Sequence, residues 1–217
     1  MSKEVLNKIL EGKIVAIVRG IPSDEVVGLA KALVKGGISC IEVTFDQSSK
    51  ERAEDTLKAI SNISQALGDK VCVGAGTVMT VQQVEAAADA GAEYMISPNT
   101  NAAVIRRTKE LDKVSIPGAM TPSEVAQAYE LGADIVKMFP AGVLGCAYIK
   151  AVKAPLKHIP VTAVGGVNPG NCADFIRAGA VGVGVGGNLV SPQLVKEGRF
   201  DEITAIAKSY TDALKNV

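Results

Sequence analysis

Eight times along the chain a short β-rich run gives way to a longer amphipathic stretch, and that alternation constrains the fold more than any single residue does. The runs KIVAIVR, CIEVTF, VCVGAG and YMIS lead into SDEVVGLAKALVKGG, SKERAEDTLKAISNISQALG, TVQQVEAAADAG and NAAVIRRTKELD. VSIPG, DIVKMF, VTAVGG and VGVGVG then lead into TPSEVAQAYELG, CAYIKAVKAPL, NPGNCADFIRAG and a C-terminal helix within FDEITAIAKSYTDALKNV. Ser23, Ser49 and Thr80 stand where N-caps are expected, because a hydroxyl there accepts from a free backbone N–H. A weak repeat supports the count: GGISCIEV, AGAEYMIS, LGADIVKM and AGAVGVGV each leave a helix through glycine and enter a strand.

Eight such units favour an α/β fold of the (β/α)8 type, a TIM barrel. A doubly wound open sheet shows the same alternation, but it commonly binds its ligand through a glycine fingerprint after the first strand, and VRGIPSDE is no such fingerprint. With 217 residues, 47% of them hydrophobic, and no linker, low-complexity tract or charge run, residues 1–217 are expected to form one barrel domain.

Lys plus Arg and Asp plus Glu balance at 23 each, with no basic block, so neither nucleic acid nor an anionic membrane surface is an expected partner. MSKEVLNKILEGKIVAIVRG carries acidic residues near its start and no long apolar core, which fits neither a signal peptide nor a membrane span and points to a cytoplasmic protein. Cys40, Cys72, Cys146 and Cys172 are scattered without a C-x-x-C pair and read as reduced, mostly buried thiols. His158 is the single histidine, so a histidine dyad or an imidazole-rich metal site is hard to assemble.

In a barrel the chemistry lies where strands hand over to helices. The polar residues at those points are Arg19, Glu42, Thr44, Asp46, Thr77, Ser97, Lys137 and the glycine pairs near 165 and 186. Lys137 stands inside the apolar run DIVKMF, where alternation puts it on one face with Ile135 and Phe139. Desolvating an ammonium enriches the neutral amine, which can attack a carbonyl; the plain alternative is a strand-end lysine that snorkels to solvent or pairs with a carboxylate. Glu42 is the same anomaly between Ile41 and Val43. A structural ion pair would explain both, yet buried pairs are often no better than apolar packing, so two intrusions at the catalytic end favour function. A carboxylate beside an imine-forming amine can do general acid/base work.

The runs IEVTF, GAGTV, ISPN, IPGAMTPSE, KMFPA and AVGGVNPGN, in that order within residues 13–190, resemble the 2-keto-3-deoxy-6-phosphogluconate and 4-hydroxy-2-oxoglutarate aldolase family, class I enzymes on a (β/α)8 barrel. The resemblance implies that Lys137 forms the Schiff base and Glu42 shuttles protons. It implies that Thr77, at the end of GAGT with Gly76, helps hold the pyruvyl carboxylate; the plain alternative is a tight turn. Arg19 is placed to grip a carboxylate, with a surface arginine as the alternative. Pro98 and Phe139 match positions that wall the pyruvyl pocket, although both also suit ordinary packing. Gly165 and Gly166, with Gly186 and Gly187, supply backbone amides where barrels commonly bind phosphate. No metal or other cofactor is implied beyond the covalent imine, and the partners implied are a small-molecule substrate and two further copies in a homotrimer.

Two positions depart from the pattern: Asp46 stands where some members have a carboxylate-binding arginine, and Gly187 where some have a phosphate-binding serine. A negative charge at Asp46 would repel an anionic substrate unless it points away. Both departures leave the gluconate, galactonate and hydroxyglutarate substrates open. The competing readings are a phosphosugar isomerase or epimerase barrel and a catalytically silent sugar-phosphate binder.

Overall fold

Apolar runs of three to five residues become strands here because both of their faces are covered, and every strand residue is buried. The computed structural model describes residues 2–217. The chain opens with α1 (Ser2–Gly12) and continues through β1 (Ile14–Val18), α2 (Val26–Lys35), β2 (Cys40–Thr44), α3 (Lys50–Leu67), β3 (Cys72–Gly76) and α4 (Val81–Asp89). It proceeds through β4 (Tyr94–Ile96), α5 (Ala102–Glu110), β5 (Val114–Ile116), β6 (Gly118–Ala119), α6 (Pro122–Glu130), β7 (Val136–Met138) and α7 (Ala141–Lys153). The last elements are β8 (Val161–Val164), α8 (Cys172–Arg177), β9 (Gly182–Val185), α9 (Pro192–Lys196) and α10 (Phe200–Leu214).

Among the described residues the strands form one parallel sheet in the order β5-β4-β3-β2-β1-β9-β8-β7-β6. The ninth strand is not a ninth βα unit. β5 and β6 are the two halves of the expected fifth strand, separated at Pro117, which has no N–H for a ladder. Carbonyls carry the closure across that break: Ser115 O accepts from Ile135 N at 3.4 Å and Pro117 O from Lys137 N at 2.8 Å. The eight expected units therefore close into a (β/α)8 barrel.

Two cores hold it together. The larger lies between strands and helices and takes the outward residues, among them Ile41, Val73, Val136 and Met138. The smaller fills the lower barrel with Val15, Cys40, Cys72, Tyr94, Ile116 and Ile135, and α1 plugs it from below with Val5 and Ile9. The sequence reading did not assign that helix. Burying each such side chain contributes on the order of 2 kcal/mol, so the plug both stabilises the barrel and leaves only its upper mouth open.

Helix starts follow local chemistry. Ser49 and Thr80 cap as expected, accepting from Arg52 N and Gln83 N, and Thr121 with Glu124 forms a full capping box behind Pro122. Ser23 does not cap. α2 begins at Val26 with Glu25 before it and no side-chain cap; Ser23 instead ties the loop to α3, its N–H donating to Asp55 and its carbonyl accepting from Asn62. The strand around Lys137 is shorter than DIVKMF, but its alternation is as expected.

Candidate active site

Lys137 sits on β7 in register with Gly118 on one side and Thr162 on the other, its backbone N–H held by Pro117 O at 2.8 Å. Its side chain is 7% exposed, and its Nζ lies 5.2 Å from the centroid of the Phe139 ring, a cation–π contact at the rim. Glu42, in the middle of β2, is 2% exposed. Burial pushes its carboxyl above the ordinary value, opposed by the positive charges of Lys137 and Arg19. The two side chains form no salt bridge, so opposite charges face one cleft with room between them. Below them a cavity of about 20 Å³, lined by residues such as Ile96, Ile116, Ile135 and Val183, keeps the floor apolar.

The cleft at the C-terminal ends of the strands has a volume of about 780 Å³. Arg19, Glu42, Thr77, Pro98, Lys137 and Phe139 all line it, and so do Gly165, Gly166, Gly186 and Gly187. Arg19 is exposed and makes no salt bridge among the described residues. Thr77 has φ +55, a left-handed conformation that costs a β-branched residue about 1–3 kcal/mol and is retained where the surroundings enforce it. Gly165 and Gly166 have φ +95 and +73, and Gly165 O accepts from Gly142 N at 2.7 Å, an approach that a Cβ on Gly142 would block.

Gly76 is not part of the cleft wall. A Cβ there would come within 1.8 Å of Glu42 Oε1, so Gly76 is the space into which the Glu42 carboxylate folds. Thr44 and Ser97 also stay out of the cleft: their hydroxyls donate to Val18 O and Val78 O as strand-end braces. Asp46 points away, into a neighbouring depression between β1, β2 and α3. Hydrogen bonds from Ser48 and then the Arg52 guanidinium, 2.7 Å away, hold its carboxyl down to about 2, so its charge is matched outside the cleft. Sequence reasoning missed Thr162, Asn188 and Val190. Thr162, 8% exposed and in register with Lys137, lines the small cavity below the cleft and was readable as a polar residue inside VTAV, whereas the other two reach the cleft itself through the loop after β9. Among the described residues no cluster of three or more His, Cys, Asp or Glu could hold a metal ion.

Fold and cleft together are those of a barrel enzyme with its chemistry at the strand C-termini. The chain matches the profile of the KDPG and KHG aldolase family over residues 5–206, and it belongs to that family. It is 36% identical over 203 residues to the 2-dehydro-3-deoxy-6-phosphogalactonate aldolase of Escherichia coli strain K12, covering 93% of this chain and 96% of the relative. It is 35% identical over 186 residues to the 2-dehydro-3-deoxy-phosphogluconate aldolase of Treponema pallidum strain Nichols, covering 85% of each. A solved structure of native KDPGal superposes with a TM-score of 0.83 at 36% identity over 94% of both chains.

Two outcomes follow from the burial of Glu42. Because its pKa is raised, folding favours the protonated form, and that contribution is complete below the ordinary value of 4.5 and lost as pH rises through the folded value. Glu42→Gln should therefore unfold at a higher temperature than wild type near neutral pH, with the difference fading below about pH 4.5 in thermal scans; a pH-independent difference would count against the raised pKa. Gly76→Ala should keep its fold, with a Tm within a few degrees, but lose roughly 100-fold or more in turnover because the carboxylate is displaced. Unchanged turnover would show that Glu42 does not need that space.

Proposed function

We propose that the protein is a class I aldolase that reversibly cleaves a 2-oxo-3-deoxy-6-phospho sugar acid, the gluconate or its galactonate epimer, to pyruvate and glyceraldehyde 3-phosphate. The observation that carries this reading is a buried amine and a buried carboxylate sharing one cleft without pairing with each other. Relatives named for each epimer match at nearly equal identity, which supports the substrate class rather than one epimer. The same chemistry would take 4-hydroxy-2-oxoglutarate to pyruvate and glyoxylate.

Lys137 Nζ passes a proton to Glu42 through a water and, as the neutral amine, attacks C2 of the 2-oxo acid; Glu42 then gives that proton to the carbinolamine hydroxyl so that water leaves. The protonated imine nitrogen is the electron sink, and the reading calls on no metal or other cofactor. Glu42, now a carboxylate, takes the proton of the C4 hydroxyl through a water. The C3–C4 bond breaks, its electron pair moves into the enamine, and the aldehyde departs. Protonation at C3 and hydrolysis of the imine release pyruvate and restore the amine. Thr77 and Arg19 would hold the substrate carboxylate, Pro98 and Phe139 would wall the pyruvyl group, and the backbone at Gly165, Gly166, Gly186 and Gly187 would hold the phosphate.

The reading includes one barrel domain over the chain, a cytoplasmic setting and the homotrimer of the family. No helix among the described residues is long and apolar enough to cross a membrane. Met120 and Phe139, 46% and 42% exposed, border one depression, and Val143 is 84% exposed; such apolar surface suits burial against another copy.

The test is release of pyruvate, followed by coupled reduction to lactate, from each epimer of the 6-phospho sugar acid. Wild type should cleave at least one epimer, and Lys137→Ala should be slower by about 10³-fold or more. Phosphosugar isomerisation without cleavage would replace the proposal by the isomerase reading, and phosphate-dependent binding without turnover by the silent binder.

A further inference from the structure

A chain of two glutamine amides runs beside the left-handed backbone of Thr77. Gln47, in the loop after β2, donates from Nε2 to Thr77 O at 2.8 Å. Its Oε1 accepts from Gln83 Nε2 at 3.0 Å, and Gln83 Oε1 accepts from Met79 N at 2.8 Å. Gln83 is itself fixed in the first turn of α4, where its N–H meets the capping hydroxyl of Thr80. The amide orientations are forced. Met79 N can only donate and Thr77 O can only accept, so turning either amide by half a rotation would oppose like groups at two links. The chain thus closes around residues 77–79 from the outside, while Val78 N pins the inner side to Ile96 O at 3.0 Å.

The bridge joins the loops that follow β2 and β3, the strands that carry Glu42 and lead into Thr77. We propose that Gln47 and Gln83 are positioning residues that hold Thr77 in its left-handed conformation so that it meets the carboxylate of the 2-oxo acid. This rests on the reading of Thr77 as a carboxylate contact. Neither glutamine lines the cleft, so neither touches the reacting atoms.

The test is a mutant cycle on the full chain, reading KM and kcat for cleavage of the 6-phospho sugar acid, with circular dichroism and Tm to establish folding. Gln47→Ala and Gln83→Ala should each raise KM about tenfold with kcat within about threefold. Gln47→Glu keeps the shape and loses the donor at neutral pH, and it should behave like Gln47→Ala. In a Thr77→Gly background, where the left-handed backbone carries no steric cost, Gln47→Ala should add nothing to KM. A wild-type KM in folded Gln47→Glu, or a Gln47→Ala effect that persists beside Thr77→Gly, would overturn the proposal. If Thr77→Gly raises KM while both glutamine variants match wild type, the bridge is overturned and the reading of Thr77 stands. If Thr77→Gly and the glutamine variants all leave KM unchanged, that reading falls and the bridge falls with it.

Discussion

The site depends on keeping one positive and one negative charge out of water without letting them neutralise each other. A buried pair in contact would satisfy itself and be chemically inert, whereas two buried charges held apart keep part of their desolvation cost, which a ligand between them can offset. Here Glu42 is 2% and Lys137 7% exposed, and no salt bridge links them. The missing Cβ of Gly76 lets the carboxylate fold down over β3 instead of reaching across to the amine.

The barrel supplies the rest of that constraint. Parallel register sets Glu42 opposite Gly74 and Lys137 opposite Thr162, so each charged side chain has a small or short neighbour on at least one side. The Pro117 carbonyl fixes the backbone of Lys137 at the point where the sheet closes. Below, α1 and the inner apolar layer seal the barrel; above, the loops after β8 and β9 contribute glycines that let backbone line the cleft. Rigid strands thus hold the charged groups, and loops shape the space around them.

Much of this was legible in the sequence because it rests on periodicity. Alternation in DIVKMF and CIEVTF was enough to put Lys137 and Glu42 on an inner face, and the eight βα units were enough to fix the barrel. What escaped depends on contacts between distant segments. Pro117 splits a strand whose own carbonyls, those of Ser115 and Pro117, close the barrel by accepting from N–H groups of a run twenty residues away in sequence, roughly the spacing of one βα unit. Gly76 has a neighbour in space that its place in GAGT does not reveal, the carboxylate of Glu42. The sequence left open whether Asp46 faces the substrate or points away, and it is Ser48 and Arg52 that turn it outward. Ser23 looked like a cap, but Asp55 and Asn62 of α3 claim it. The glutamines that brace Thr77 carry no local signal at all.

The central claim is that Lys137 is the amine that becomes covalently bonded to substrate. The most direct measurement is to incubate the protein with pyruvate and sodium borohydride and locate the added mass by peptide mass spectrometry. The account predicts a reduced pyruvate adduct on the peptide containing Lys137 and none in folded Lys137→Ala. An adduct on another lysine, or none in folded wild type, would contradict it.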